Sequence, residues 1–461
     1  MSATDVINPA TEQVIAEVPI HGVDAVDEAV ARAVEAGPAW RAVAPADRAR
    51  LMRRFAAEVE AHAEELAQLE TANVGKPISE SRDEVGMVAE VLYFYAGAVD
   101  KHRGSTVPVA GGVDMTFHEP LGVVGAIIPW NFPIAITSWK VGPALATGNT
   151  IVVKPAEITP LTAVRLAELA LDAGLPEGVL QVVTGKGSVV GTRLAEHPDI
   201  DKIAFTGSTE VGRDVMSRAS GTIKRVTLEL GGKSASVVFA DADLAKAAAS
   251  APGGVFANGG QDCCARSRIL VQRSVLDEFL DLLADAVRAW TVGDPTDPAS
   301  KMGPMVTAAH RGVVASFLEE GMGAPGAPVP AHTAGAVPDG PGFWFPPTVV
   351  APADPGWRMA REEIFGPIVA VIPFDDEAEA VRLANDTPYG LSGSIWTRDS
   401  ARSLRMARAV QAGNLSVNSN SSVRVQTSFG GMKQSGFGRE LGLEALASYS
   451  EVKNVFVSTV D

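Results

Sequence analysis

Short apolar runs alternate with helical patterns through the middle of the chain, and this alternation restricts the fold more than any other sequence feature. Apolar runs at 150–154, 180–183 and 201–206 are each followed by a segment with apolar side chains at helical spacing. Such alternation predicts a parallel sheet covered by helices on both faces. Ligands bind beyond the carboxyl ends of the strands in sheets of this kind, so functional residues are expected directly after the strands.

The same alternation resumes after Gly231 and Gly232 with SASVVFA, RILVQ, PIVAVIPF and SGSIWT, which predicts a second α/β domain. Helices are also predicted over 23–70 and from Ser81 to about Lys101. Residues 321–347 are rich in Gly and Pro and predict a surface loop, because the α/β pattern continues after them. The apolar tail SYSEVKNVFVSTV predicts a strand that needs a pairing partner, for example in another subunit.

The composition excludes several classes of protein. The chain has 461 residues, of which 46% are hydrophobic and 20% charged, as in ordinary globular proteins. Its net charge of −16 argues against binding to nucleic acid or to an anionic membrane surface. The chain lacks an apolar run of about 18 residues, which argues against a membrane span, and its N-terminus lacks the features of a secretory signal. A cytoplasmic enzyme is therefore expected.

The only two cysteines, Cys263 and Cys264, are adjacent, so no disulfide framework is expected. One interpretation is a pair of small buried hydrophobic residues. The other is a reactive thiolate, because Gln261, Asp262 and Arg266 give the pair a polar neighbourhood. The seven histidines are scattered, which argues against a Cys-His hydrolase, and the absence of a metal-ligand pattern predicts no metal.

Four polar residues next to apolar runs each allow a structural and a functional interpretation. Glu229, in TLELGGKS, is either a strand-end carboxylate that faces water or a partly buried base with a raised pKa. Asn131, in PWNFP, is either structural or a donor to a developing oxyanion. Lys154 and Glu157, in VVKPAE, form either a solvated helix start or a pair that holds a ribose.

Seven segments considered together are more informative than any single residue. They are PWNFP, VVKPAE, FTGSTEVG, LELGGKS, GQDCCA, EEIFGP and FGGMKQSGFGRE. In this order they resemble the NAD(P)-dependent aldehyde dehydrogenase superfamily. They extend from Pro129 to Glu440, and INPAT and SYSEVKNV extend the resemblance over essentially the whole chain. One such segment is a weak signal, whereas seven in order form a strong one.

The resemblance implies a catalytic role for three residues. Cys263 matches the nucleophile, whose thiolate attacks the aldehyde carbon. The side chain of Asn131 and the backbone N–H of Cys263 then hold the oxyanion. Loss of hydride to the nicotinamide leaves a thioester, and Glu229 activates the water that releases the carboxylic acid.

The resemblance also implies a cofactor site. Its residues are Trp130, Lys154, Glu157, Gly207, Ser208, Gly212, Glu363 and Phe365. Lys154 and Glu157 match the ribose-binding pair of the adenosine half, and Glu363 and Phe365 match residues that hold the nicotinamide ribose. A carboxylate at Glu157 accepts from a 2′-hydroxyl and repels a 2′-phosphate, so NAD is favoured over NADP.

The fold that the resemblance implies has three parts. A Rossmann-like NAD-binding domain comprises 1–101 and 121–231, and a second α/β, catalytic domain comprises 232–427. A small β oligomerisation element comprises 102–120 and 445–461. A C-terminal tail of this kind implies a homotetramer that is assembled as a dimer of dimers. The oligomerisation element would supply the partner that the apolar C-terminal strand needs.

The substrate is less constrained. By position, the expected tunnel residues are Met87, Phe132, Trp139, Asp262, Cys264 and Arg424, with the loop 420–428. Residues such as Phe132 and Trp139 are more often packing residues than specificity elements. Asp262 either attracts a cationic amino-aldehyde or pairs with a nearby arginine, and Arg424 suits a substrate carboxylate. Amino-aldehyde, semialdehyde and aliphatic substrates remain open, and Ser428 stands where the family commonly has Pro.

Three alternatives compete with hydrolytic aldehyde oxidation. An acylating enzyme transfers the acyl group to a thiol such as CoA, but that branch commonly lacks the equivalent of Glu229. A cysteine hydrolase leaves the cofactor residues unexplained. A catalytically retired nucleotide-binding protein is expected to have lost Cys263, Glu229 or Asn131, and all three are present.

Overall fold

Four β-sheets organise the computed structural model, which describes residues 3–320, 331–333, 337–421 and 423–460. The strands are β1 (Ala3–Ile7), β2 (Val14–Pro19), β3 (Thr106–Val109), β4 (Gly112–Pro120), β5 (Val123–Ile127), β6 (Thr150–Lys154), β7 (Leu180–Val182), β8 (Lys202–Thr206), β9 (Arg225–Glu229), β10 (Ala235–Val238), β11 (Arg268–Gln272), β12 (Ala331–Thr333), β13 (Thr348–Val350), β14 (Ile368–Phe374), β15 (Ser392–Trp396), β16 (Asn414–Val417), β17 (Gly436–Phe437) and β18 (Ser450–Ser458).

Helices cover the two larger sheets. They are α1 (Val23–Ala42), α2 (Pro45–Ala61), α3 (Ala63–Val74), α4 (Ile78–Ala98), α5 (Pro133–Ala146), α6 (Leu161–Asp172), α7 (Thr192–Glu196), α8 (Thr209–Ala219), α9 (Leu244–Val255), α10 (Leu276–Arg288), α11 (Ala308–Glu320), α12 (Arg358–Arg361), α13 (Glu377–Asn385) and α14 (Ser400–Ala409). None of these described helices has both the length and the apolar character needed to cross a lipid bilayer.

The first large sheet has the strand order β17-β9-β8-β5-β6-β7. Strands β5 to β9 are parallel, and β17 is antiparallel to β9. Every residue of β5 and β6 is buried, because α2 to α6 pack against one face of the sheet and α1, α7 and α8 against the other. The predicted α/β fold is confirmed.

The order of these strands determines where a ligand can bind. Strand β5 pairs with β6 on one side and with β8 on the other. The connections from β5 therefore diverge at its carboxyl end, which creates a crevice there. Asn131 follows β5 directly, and Glu229 ends β9, so two of the predicted catalytic residues lie at this edge of the sheet.

The second large sheet has the order β12-β13-β14-β11-β10-β15-β16, and only β12 is antiparallel to its neighbour. Helices α9 and α10 cover one face, and α11 to α14 contribute to the core on the other. The predicted surface loop 321–347 contains β12 and so is not entirely irregular. Its residues 321–330 and 334–336 lie outside the described residues.

The two small sheets lie near the ends of the chain. Strand β18 confirms the predicted C-terminal strand and pairs along its whole length with β4, which also pairs with β3. Strands β1 and β2 form an N-terminal hairpin that the sequence analysis did not predict. The domain boundaries remain predictions, and β17 adds one detail to them. It lies in the segment 428–444, which the predicted boundaries left unassigned, and it extends the first large sheet.

Candidate active site

A cavity of about 330 Å³ lies where the two α/β units meet, and it contains most of the predicted catalytic residues. Its lining residues from α4 are Glu80, Asp83, Glu84 and Met87, which follow helical spacing and so share one face of the helix. The other lining residues are Phe132, Ala135, Ile136, Trp139, Thr206, Glu229, Leu230, Ala257, Asp262, Cys263, Cys264, Val423, Phe429 and Glu440. Cys263 and Glu229 thus open into one space.

Cys263 is positioned by a turn with unusual backbone angles. After α9, the residues Asn258, Gly259 and Gly260 all have positive φ values, of 48°, 67° and 68°. At Gly260 a side chain is excluded, because a Cβ atom would lie 2.4 Å from the backbone of Gly366. The turn therefore brings the cysteine loop against the segment that follows Phe365, where glycine alone permits the approach.

Asn131 is tied to the same turn. Its side-chain Nδ2 donates to the carbonyl oxygen of Gln261 (2.9 Å), and the Asn258 side chain donates to the backbone carbonyl of Asn131 (2.9 Å). The Gln261 side chain is itself fixed, because it donates to the Asn258 carbonyl and accepts from the backbone N–H of Val306 (both 2.8 Å). This network joins the loop after β5 to the loop that carries the Cys263 thiol. Asn131 uses one amide N–H to bond the Gln261 carbonyl, and its second amide N–H does not take part in that bond.

The surroundings of Cys263 favour the thiol over the thiolate. Its hydrogen bond with the Cys264 thiol raises the pKa of Cys263 well above the usual value, and burial and the nearby carboxyl groups of Asp262 and Glu363 raise it further. A thiol of this kind attacks a carbonyl carbon only when a base removes its proton.

Glu229 provides a carboxyl group suited to that task. It is 4% exposed, and neither carboxyl oxygen has a hydrogen-bond partner among the described residues. Burial raises the pKa of Glu229 well above the usual value, and the charge of Glu440 raises it further, while Lys140 and Arg439 oppose the shift. A buried carboxyl group without a partner, facing the same cavity as Cys263, is placed to exchange a proton there.

Sequence reasoning missed Glu440 and Lys140. Glu440 is 1% exposed and lines the cavity, and its carboxylate forms a buried ion pair with Lys140. Lys140 also donates to the hydroxyl of Thr206 (2.8 Å). The sequence did contain a signal for Glu440, because this residue ends the segment FGGMKQSGFGRE. A glutamate in a loop is ordinarily solvated, however, and only the fold shows that Glu440 lies beside Glu229.

The residues predicted to hold the adenosine half of a dinucleotide lie at the carboxyl ends of β6 and β8, the two strands that flank β5. Lys154 ends β6 and is 4% exposed, and Glu157 accepts from the backbone N–H of Gly187 (2.8 Å). Gly207 and Ser208 follow β8, and Ser208 is the N-cap of α8. A helix N-terminus at the same sheet edge as a lysine and a carboxylate offers the donors and acceptors that a pyrophosphate and a ribose require.

Gly212 and Gly207 make the approach to α8 possible. A Cβ atom at Gly212 would lie 2.6 Å from a methyl carbon of Leu230, and one at Gly207 would lie 2.6 Å from the Phe205 ring. The first contact lets α8 pack close to the end of β9. The second keeps the helix N-terminus free of side-chain bulk, so the residues present fit a bound dinucleotide.

Of the remaining residues predicted to bind the cofactor, Glu363 lies beside Gly231 and Gly232. The Glu363 carboxylate accepts from the backbone N–H of Gly232 (2.9 Å). Burial raises the pKa of Glu363 to about 7, against the opposing effects of this N–H and of Lys233. This contact fixes the orientation of the Glu363 carboxylate, which can then accept a hydrogen bond from a hydroxyl group.

Trp130 and Phe365 pack edge-to-face, with ring centroids 5.2 Å apart. His310 packs against Trp130 (5.1 Å) and its Nε2 lies 2.7 Å from the carbonyl oxygen of Phe365. Phe365 has a φ of 56°, which costs energy for a residue with a Cβ atom and is concentrated at functional sites. His310, which sequence reasoning missed, therefore holds a strained residue in place.

Five of the six predicted tunnel residues line the cavity: Met87, Phe132, Trp139, Asp262 and Cys264. Arg424 does not, because its side chain is exposed and its guanidinium donates to a carbonyl of its own loop. From the predicted loop 420–428, Val423 lines the cavity. The Ser428 hydroxyl donates to the Glu444 carboxylate (2.6 Å), a contact that a proline would lack.

The structure also bears on the two interpretations of Asp262. Its carboxylate accepts from the backbone N–H of Cys264 (2.8 Å) while it remains in the cavity lining. Arg268 is directed elsewhere, with its guanidinium on the carbonyl oxygens of Lys233, Leu383 and Ala384. Arg266 lowers the pKa of Asp262, but burial is the larger effect and raises it. Asp262 therefore faces both the cavity and the cysteine loop.

The fold and the site geometry suit a nucleotide-dependent enzyme with a cysteine in its cavity, and comparison with known proteins identifies its family. The family model described as "Aldehyde dehydrogenase family" matches residues 1–455. The NADP/NAD-dependent aldehyde dehydrogenase PuuC of Escherichia coli is 43% identical over 98% of this chain and 92% of its own length. Betaine aldehyde dehydrogenase of Bacillus subtilis is 39% identical over 98% of this chain and 94% of its own length.

Solved structures agree with this assignment. A putative aldehyde dehydrogenase from Burkholderia cenocepacia superimposes with a TM-score of 0.96 at 42% identity, covering 99% of this chain and 94% of that one. Betaine aldehyde dehydrogenase from Staphylococcus aureus in complex with NAD+ gives a TM-score of 0.95 at 36% identity, covering 99% and 92%. The chain belongs to the aldehyde dehydrogenase family, and it is an enzyme that oxidises an aldehyde to a carboxylic acid with NAD.

Proposed function

We propose that Cys263 is the nucleophile of this oxidation and that Glu229 is its base. The observation that carries the proposal is the opening of a thiol and an unpartnered buried carboxyl group into one cavity. Transfer of the acyl group to water is favoured over transfer to CoA, because Glu229 supplies the base that a water molecule needs.

In the first half of the reaction, Cys263 Sγ bonds to the carbonyl carbon as its proton passes to Glu229. The carbonyl oxygen gains the negative charge, and the free N–H of the Asn131 amide and the backbone N–H of Cys263 stabilise it. When bound at the residues described above, NAD supplies the acceptor for the hydride. The acyl group then remains on Cys263 as a thioester.

In the second half, Glu229 first releases to solvent the proton that it took from Cys263, and it then takes a proton from a water molecule in the cavity as the water oxygen attacks the thioester carbon. The Asn131 amide holds the oxygen again, and the carbon–sulfur bond breaks. The carboxylic acid leaves, and the Cys263 sulfur takes the proton from Glu229 to return to the thiol form that its raised pKa favours.

NAD is favoured over NADP by the position of Glu157. Its carboxylate is anchored to the backbone N–H of Gly187 beside Lys154. From that position it accepts from a ribose hydroxyl and repels an added phosphate.

A cationic aldehyde is the substrate that best fits the cavity. Six carboxyl side chains line it, of which Glu84 and Glu440 are paired with the buried Lys76 and Lys140, and no lysine or arginine is present among its described lining residues. The six are Glu80, Asp83, Glu84, Glu229, Asp262 and Glu440. The aromatic rings of Phe132, Trp139 and Phe429 supply faces suited to an ammonium group, and betaine aldehyde, named for relatives of 39% and 36% identity, carries such a group.

The protein is proposed to act as a homotetramer in the cytoplasm. Strand β18 leaves one edge without a partner strand among the described residues and exposes the apolar side chains of Val452 and Phe456. A second copy that pairs with this edge would bury them. A nucleophilic thiol with an adjacent cysteine supports a reducing compartment.

The decisive experiment compares betaine aldehyde with 3,3-dimethylbutanal, its uncharged isostere, by following NADH formation. The charged aldehyde is expected to have the higher kcat/KM, and Glu80→Gln to reduce its advantage roughly 5-fold, as for loss of a charge pair of about 1 kcal/mol. Burial raises the pKa of Glu80 to about 7, so the advantage of the charged aldehyde grows as the pH rises through that value.

Arg424→Gln is the control outside the cavity. Equal turnover of both aldehydes at all pH values would overturn the substrate proposal, and turnover by Cys263→Ala would overturn the mechanism.

A further inference from the structure

Three consecutive residues present metal-type ligand atoms to one point of the cavity. A carboxylate oxygen of Asp262, Sγ of Cys263 and Sγ of Cys264 all lie within 4.8 Å of one another. The backbone N–H of Cys264 donates to the Asp262 carboxylate over 2.8 Å, which orients this carboxylate in the loop that carries both thiols.

The spacing is close to that of a tetrahedral zinc site. Zinc–sulfur bonds of about 2.3 Å and zinc–oxygen bonds of about 2.0 Å place neighbouring ligand atoms roughly 3.5–3.8 Å apart. The observed group, with its atoms within 4.8 Å of one another, therefore needs side-chain rotations that close roughly 1.0–1.3 Å at most. Three protein ligands leave the fourth position of the metal to a water molecule from the cavity.

The surroundings of the three ligand residues contain charges of both signs. Glu80, Asp83 and Glu84 line the same cavity, and lysine and arginine side chains are absent from its described lining. Outside the lining, Lys76 is paired with the buried carboxylates of Glu70 and Glu84, and the buried Arg266 interacts electrostatically with Asp262, Cys263 and Cys264. The preference for a small dication therefore comes from the two soft sulfur ligands and the carboxylate oxygen.

We infer that Asp262, Cys263 and Cys264 form a binding site for a thiophilic dication of the Zn²⁺ type, and that its occupancy reversibly blocks the nucleophile. Binding forms two metal–sulfur bonds and one metal–oxygen bond, and it releases the two thiol protons to solvent. Nothing is oxidised or reduced. A sulfur atom bonded to the metal cannot attack a carbonyl carbon, so the enzyme is inactive until a chelator removes the cation.

The chain offers an unusually clean readout, because Cys263 and Cys264 are its only cysteines. A Cd²⁺ titration of the EDTA-treated protein is expected to give a sulfur-to-cadmium absorption band that saturates at one equivalent. Both thiols should lose their reactivity toward a thiol reagent, and EDTA should restore them. This measurement does not depend on turnover, so the site can be found present even if the proposed mechanism fails.

Inhibition by Zn²⁺ is measured in parallel and rests on the proposed role of Cys263. Each variant is compared with its own turnover without metal. Cys264→Ala and Asp262→Asn are each expected to weaken Zn²⁺ inhibition by at least about 10- to 100-fold, the range for losing even an outer partner of a metal site.

The matched control is His102→Ala, which disrupts the stacked pair formed by His102 and His118 (ring centroids 3.7 Å apart). It should leave both the absorption band and the inhibition unchanged. The inference is overturned if one equivalent of Cd²⁺ gives no band while both thiols titrate normally. It is also overturned if Cys264→Ala is inhibited at the same Zn²⁺ concentration as the native chain.

Discussion

A methyl group added at Gly231 should weaken NAD binding without touching the cofactor directly. A Cβ atom at this position would lie 2.1 Å from Oε2 and 2.7 Å from Cδ of Glu363. Ordinary contacts between such atoms are about 3.5 Å, so the carboxylate must move by more than about 1 Å. The backbone of Gly231 does not have a positive φ, and the effect of Gly231→Ala is therefore steric.

The size of the effect follows from the hydrogen bond that holds Glu363. The backbone N–H of Gly232 donates to Glu363 Oε1 over 2.9 Å, and a displaced carboxylate loses this contact. A hydrogen bond to a charged group contributes about 1.5–3 kcal/mol. If Glu363 orients the cofactor, the affinity for NAD should fall roughly 10- to 150-fold.

Calorimetric titration with NAD and the KM for NAD measure this loss, and the melting temperature shows whether the variant is folded. Gly37→Ala is the matched control, since a Cβ atom there meets nothing within 4 Å in α1. It should bind NAD normally and be slightly more stable. A folded Gly231→Ala protein with unchanged NAD affinity would refute the assignment of Glu363 to the cofactor.

Three further substitutions test the site. Glu440→Gln removes the charge that raises the pKa of Glu229 and leaves Lys140 to lower it, so the acidic limb of the pH–rate profile should move to lower pH; an unmoved limb contradicts the coupling. Glu229→Gln should reduce steady-state turnover about 10²- to 10⁴-fold, with acyl-enzyme detectable by mass spectrometry, and its absence argues for a different base. Glu157→Gln should raise kcat/KM with NADP relative to NAD roughly 5-fold, and an unchanged ratio removes Glu157 from cofactor choice.

The sequence patterns predicted those strands and helices whose formation depends on residues close together in the chain. The run at 150–154 is β6, and the run at 201–206 contains β8 (Lys202–Thr206), because short apolar stretches between helices can be buried only in a covered parallel sheet. The hairpin of β1 and β2 was missed, since its strands are largely exposed and lack a strong apolar pattern. Strand β17 has only two residues and pairs with β9, a contact far away in sequence.

The candidate site shows the same division between local and long-range information. Cys263, Glu229 and Asn131 follow strands or glycine turns, so their positions at one edge could be expected. The environment of Glu229 could not, because its raised pKa depends on Glu440, more than two hundred residues later in the chain. Glu440 stays beside it because Lys140 neutralises part of its charge in the interior. The acid–base behaviour of the site therefore belongs to a group of residues that only the folded chain assembles, and the Glu440→Gln profile is the measurement most sensitive to it.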